Sequence, residues 1–146
     1  MLDSIAEYPS HLTIRVAWGD MDALGHVNNV VYIRWLESGR VDYMMHGGIF
    51  ALMEDAGVGP ILASIQCRYK APVTFPDNVT IATRITSVSD DRVTMQHEIY
   101  SDKLQRVVAE GQGVVVAYDF SAGSKGVLPE SVRLRIAELE GMDLLE

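Results

Sequence analysis

The chain has 146 residues, 48% of them hydrophobic, and its 12 basic and 20 acidic side chains give a formal charge of −8. That is the length of one domain with enough apolar content for one real core, which excludes a disordered chain. The acidic balance argues against a nucleic-acid binder or a protein of anionic membrane surfaces. In chain order, Met1 to Ser10 carries Asp3 and Glu7 and lacks a basic segment ahead of an apolar one, so it does not read as a signal peptide. Leu12, Ile14 and Val16 alternate with Thr13 and Arg15, the pattern of a strand with one buried face. A polar loop, Ala17 to Val27, follows. Asn28 or Asn29 is suited to cap a helix. From Val30 to Met45 apolar residues cover more than one stripe, with Val30, Ile33 and Leu36 on one line and Val31 and Trp35 widening it. Such a helix needs to be wrapped on most of its girth. Arg34, Glu37, Arg40 and Asp42 are expected on its remaining, solvated side. Gly47-Gly48 ends it, and Ile49 to Ala56 reads as a further short helix.

Strand signals dominate from Pro60 onward. Ile61 to Tyr69 and Asp77 to Thr86 are expected strands. Val93, Met95, His97 and Ile99 alternate with polar residues in another, and Val107 to Tyr118 forms a last long one. Gly111 and Gly113 share a face of that strand, as expected where a sheet is pressed against a neighbour. Leu128-Pro129-Glu130 opens a final helix with Pro near its first position, a stripe of Val132, Ile136 and Leu139, and Gly141 as cap. No apolar run is long enough to span a membrane. The single Cys67 excludes an intrachain disulfide and fits a reducing compartment. The expectation is a single α+β domain over residues 1–146, cytoplasmic, with no membrane and no nucleic-acid partner.

The chemistry concentrates in Trp18-Gly19-Asp20-Met21-Asp22-Ala23-Leu24-Gly25-His26-Val27-Asn28-Asn29. A strand, a loop bearing a carboxylate and a helix start place Asp22 just ahead of unpaired backbone N–H groups that can bind an oxyanion. A carboxylate beside such a donor suits acyl transfer. Asp20, Asp22 and Gly25 match three positions of a calcium loop. Leu24 and Val31 then stand where oxygen ligands are needed, so a metal is not expected. Neither a Gly-x-Ser-x-Gly elbow nor a Walker glycine loop is present.

The segment from Thr13 to Arg40 resembles the acyl-CoA thioesterases of the hotdog fold, of the 4-hydroxybenzoyl-CoA thioesterase type. The resemblance rests on Asp20-Met21-Asp22, on Gly25-His26-Val27-Asn28-Asn29 and on Tyr32 to Trp35. It implies a curved antiparallel sheet wrapped around one long central helix, an acyl-CoA substrate, no cofactor, and a homodimer or homotetramer with sites between subunits. It also implies catalytic roles for Asp22 and for the backbone N–H of Asn29, seven residues later. Asp22 could attack the thioester or orient water; both routes stay open. Asn28 and His26 are expected at the substrate site, although a structural hydrogen bond is the favoured reading of His26. Arg68 and Lys70 could meet CoA phosphates or stand as solvated charges. Cys67, His11, His46 and His97 read as structural. Two rivals remain: a hotdog hydratase, whose acid–base pair Asp22 and His26 do not match in spacing, and a non-catalytic acyl-CoA-binding module.

Overall fold

A computed structural model describes residues 3–141. After a short α1 (Asp3–Ala6) the chain forms β1 (Ser10–Arg15), a 3-10 turn at Trp18–Asp20, and the long α2 (Asn29–His46). Then come α3 (Ile49–Asp55), β2 (Gly59–Tyr69), β3 (Asn78–Val88), β4 (Arg92–Ser101), β5 (Arg106–Asp119), the two-residue β6 (Ser124–Lys125) and α4 (Glu130–Glu140). The strands pair antiparallel in the order β1-β3-β4-β5-β2, with β6 beside the end of β5. The sheet curls around α2.

Strand alternation decides which residues meet the helix. Val79, Ile81 and Ile85 of β3, Met95 and Ile99 of β4, and Ala109 and Val115 of β5 are all buried. Val79, Ile81, Ile99 and Ala109 build one core cluster with Tyr32, Trp35 and Leu36 of α2; Ile85, Met95 and Val115 build a second with Ile49 and Met53 of α3 and with Val132 and Ile136 of α4. The outer face carries Gln66, Gln96 and Gln112 in register across β2, β4 and β5. Ile5 and Tyr8 cover another part of it, over Ala82 and Tyr100. Gly111 lies where β5 meets the helix: a Cβ there would stand 2.6 Å from Leu36 Cδ1. Gly113 has more room, its nearest neighbours, Ile65 and Leu62, lying at 3.4 Å.

Three expectations change. Val30 is 61% exposed, and the buried stripe of α2 runs instead through Val31, Tyr32, Trp35, Leu36, Gly39, Arg40, Tyr43 and Met44. Arg40, expected on the solvated side, is only 9% exposed. Gly39 lets the helix approach β3 so closely that residue 40 is drawn under the surface with it. Pro129 sits at the N-cap of α4 and not inside its first turn. The helix start at Asn29, with Asn28 as cap, and the Gly47-Gly48 stop agree with the sequence reading.

Candidate active site

The loop before α2 is a small ribbon folded on itself. Met21 bridges Val27, the Asp22 N–H donates to the His26 carbonyl at 2.9 Å, and the Asn28 N–H donates to the Asp20 carbonyl at 2.9 Å. Gly25, at φ +83°, makes the reversal, where a side chain would be strained. Asp20 closes the preceding turn by accepting from the Ala17 N–H at 2.9 Å, as expected of a loop carboxylate. The ribbon is anchored by the Val27 N–H, which donates to the Val73 carbonyl at 2.8 Å, and by burial of Val27.

Asp22 is half-buried. Its Oδ1 accepts from the Leu24 N–H at 2.9 Å, and its other oxygen accepts no hydrogen bond among the described residues. The Asn28 side chain caps the helix by accepting from the Val30 N–H at 2.9 Å. The N–H of Asn29, the first helical residue, has no acceptor among the described residues. The ribbon therefore presents a pinned carboxylate with a spare oxygen, and the helix presents a spare amide and the positive end of its dipole. His26 is exposed on the ribbon, tied to Asp22 through backbone alone. Arg68 and Lys70 stand apart from this arrangement. Arg68 is on the outer sheet face, opposite Glu110, and Lys70 forms an ion pair with Glu110.

Two tyrosines that sequence reasoning passed over shape the site. Tyr69 donates to the Asn29 carbonyl at 3.1 Å and meets the Tyr32 ring edge-on at 5.1 Å. Tyr32, buried, accepts from the Val73 N–H at 3.1 Å and donates to the Ala71 carbonyl at 3.3 Å. It thereby ties the helix to the segment that anchors the ribbon. Burial raises the Tyr32 hydroxyl pKa, and the Val73 N–H partly opposes this. The signal for Tyr69 was its parity with Ile65 and Cys67, which puts it on the helix side of β2. Beyond the ribbon, exposed Trp18 packs edge-on against Phe75 at 5.5 Å. Burial pushes the Cys67 thiol pKa up, which disfavours the thiolate. Among the described residues no three His, Cys, Asp or Glu side chains gather as a metal site. No described helix is long and apolar enough to cross a membrane.

The profile of the Thioesterase-like superfamily matches residues 16–136, from the end of β1 to the middle of α4. The chain belongs to that superfamily. A thioesterase from Thermus thermophilus, whose crystal structure holds coenzyme A and zinc, superposes with a TM-score of 0.80 at 28% identity, covering 93% of this chain and 98% of that one. A gentisyl-coenzyme A thioesterase superposes at 0.76 with 28% identity, over 87% and 99% of the two chains. The long-chain acyl-CoA thioesterase FadM of Escherichia coli (strain K12) is 22% identical over 126 residues, which are 86% of this chain and 96% of that protein. This thioesterase-superfamily member has the hotdog fold and is a thioester hydrolase.

Proposed function

We propose that this superfamily member hydrolyses an acyl-CoA to a carboxylic acid and free CoA, with Asp22 and the Asn29 N–H as its reacting pair. The observation that carries this reading is the spare oxygen of Asp22 on a ribbon joined to a helix whose first N–H is also unpaired. The thioester carbonyl would lie against the Asn29 N–H, and the amide would stabilise the oxyanion as it forms. A single donor of this kind contributes on the order of 10²–10³ in rate. Asp22 either attacks the carbonyl carbon and expels the thiolate, leaving an anhydride that water then opens, or orients a water that attacks directly. In both routes water adds to the acyl carbon, the C–S bond breaks and the thiolate takes a proton. Asn28 supports the pair by capping the helix, and Tyr69 by holding the Asn29 carbonyl. His26 flanks the site. Of the two cations assigned to CoA phosphates, Arg68 has no ion-pair partner among the described residues and is the better anchor; Glu110 neutralises Lys70.

The same proposal includes a dimer. β2 is an edge strand of eleven residues, with Ile61 to Ser64 exposed along it, and no described strand pairs with its outer edge. A long unprotected edge invites a second strand, here that of another copy. The sites would then lie near the joined edges.

The test is Asp22→Asn, which keeps the bond from the Leu24 N–H and removes the charge. Thiol release from a panel of acyl-CoAs should fall by orders of magnitude with the melting temperature unchanged. Near-normal release would remove Asp22 from the mechanism. The hydratase rival predicts loss of enoyl absorbance without thiol; the joining of Asp22 to His26 through backbone alone does not favour it.

A further inference from the structure

A groove of about 240 Å³ runs along α2, with Val30, Ile33, Glu37 and Arg40 on one side and Leu62 and Ile65 of β2 on the other. It starts one residue beyond the Asn29 N–H. At 1.5 Å per residue, Val30 to Arg40 spans about 15 Å of helix axis. Side chains on a helix lean back toward its start, so a chain that reaches an Arg40 guanidinium needs somewhat less than that length. Val30 and Leu62 leave apolar surface open along the way, at 61% and 39% exposure.

Arg40 itself is 9% exposed, and its Nη1 is buried without a hydrogen-bond partner among the described residues. No carboxylate forms an ion pair with it there either. A buried guanidinium lacking a counterion is among the least favourable groups a core can hold. Glu37 stands one turn away on the same wall, and Arg34, also lining the groove, offsets it. The lining is therefore apolar near the helix start, and along its length two arginines face one carboxylate.

We propose that this groove takes the acyl group and that Arg40 selects acyl chains ending in a carboxylate. The proposal rests on the thioesterase reading above. With the thioester carbonyl at Asn29, the methylenes lie between the apolar walls and the distal carboxylate meets the guanidinium fork, whose geometry suits it. A plain alkyl chain of equal length leaves the guanidinium unpaired and sets a methyl group against it, so the groove discriminates against that chain as well as for the other.

The test compares suberoyl-CoA with octanoyl-CoA on the intact protein, following thiol release. Wild type should favour suberoyl-CoA by about 10- to 100-fold in kcat/KM, the range of one charge-assisted hydrogen-bonded contact. Arg40→Met should abolish that preference by lowering the suberoyl rate and raising the octanoyl rate, and Arg40→Lys should keep part of it. The wild-type ratio decides the matter even if Arg40→Met does not fold. Equal rates, or a preference for octanoyl-CoA, overturn the proposal and leave the thioesterase reading standing. An Arg40→Met variant that loses both activities together, or that turns a dimer into a monomer, assigns Arg40 to support or to a subunit contact and also overturns it. Thiol release from neither chain overturns it too, and benzoyl-CoA then reports whether thioester cleavage itself has failed.

Discussion

Replacing Gly39 by Ala sets two opposing effects against each other on the same helix. In an exposed helix interior the change gains about 0.8–1 kcal/mol, because Ala has less backbone entropy to lose and leaves less backbone to water. Here a Cβ would stand 2.4 Å from Ile81 Cγ2 and 3.0 Å from Thr83 Oγ1. Carbon–carbon contact is comfortable near ~3.5 Å, so helix and strand must part by about 1 Å. Ile81 is 0% exposed, and Thr83 is held to His97 Nδ1 at 2.9 Å, so neither neighbour can swing aside without breaking packing or a buried bond. Overpacking of this kind costs about 1–3 kcal/mol. A shift of this size in a closed core belongs in the upper half of that range. The net expectation is destabilisation by about 1–2 kcal/mol, read as a lower urea midpoint with an unchanged slope. In a double-mutant cycle, Ile81→Ala should remove most of the Gly39→Ala penalty while carrying its own cavity cost. If Gly39→Ala raises the midpoint, the packing of α2 on β3 is not what holds residue 39 to glycine, and the explanation for the burial of Arg40 fails with it.

Three other outcomes are expected. Tyr32→Phe leaves the buried Val73 N–H without its acceptor and should cost about 1–3 kcal/mol in urea unfolding; an unchanged midpoint would show that the tie between helix and ribbon carries no weight. His97 is buried, and desolvation, with Arg40 adding to it, lowers its pKa to about 3, while the unfolded value is near 6.5. The unfolded chain therefore binds the extra proton between those values. Stability contributed by neutral His97 is full above about pH 7 and drains as pH falls toward 3, at up to about 1.4 kcal/mol per pH unit, and His97→Gln should flatten that part of the profile. Light scattering at micromolar concentration should give a dimer, and a fully active monomer would refute the joined-edge arrangement.

Much of the fold was legible because its elements obey simple periods. β4 alternates cleanly from Val93 to Ile99, and every inward position is buried. Asn28 could be read as a cap because a short side-chain oxygen before an apolar run has one common use. The ribbon was legible as a loop, but its internal pairing was not: the Met21–Val27 bridge and the Leu24 N–H on Asp22 depend on Gly25 turning the chain, and no periodicity marks that. The sheet order also escaped the sequence. It places β2, made after α3, at an edge beyond β5, and that puts Tyr69 against the helix start.

Arg40 marks the limit more sharply. By composition α2 has a polar side, and an arginine spaced from Glu37 by three residues belongs there. What moves it inward is a contact at the preceding residue. Gly39 brings the helix axis close to β3, and the same approach that buries a glycine shields its neighbour. Close packing was favourable for the apolar residues on either side, while for Arg40 it removed water and brought no carboxylate among the described residues into an ion pair with it. A helix position chosen only for stability would hold Leu or Met, which fill such space without a charge to strip. The cost of the guanidinium falls at the end of a groove that begins beside the Asn29 amide, where on the proposed reading a substrate's own charge can offset it, and the alkyl and carboxyl substrates compared above separate that use from a merely tolerated defect.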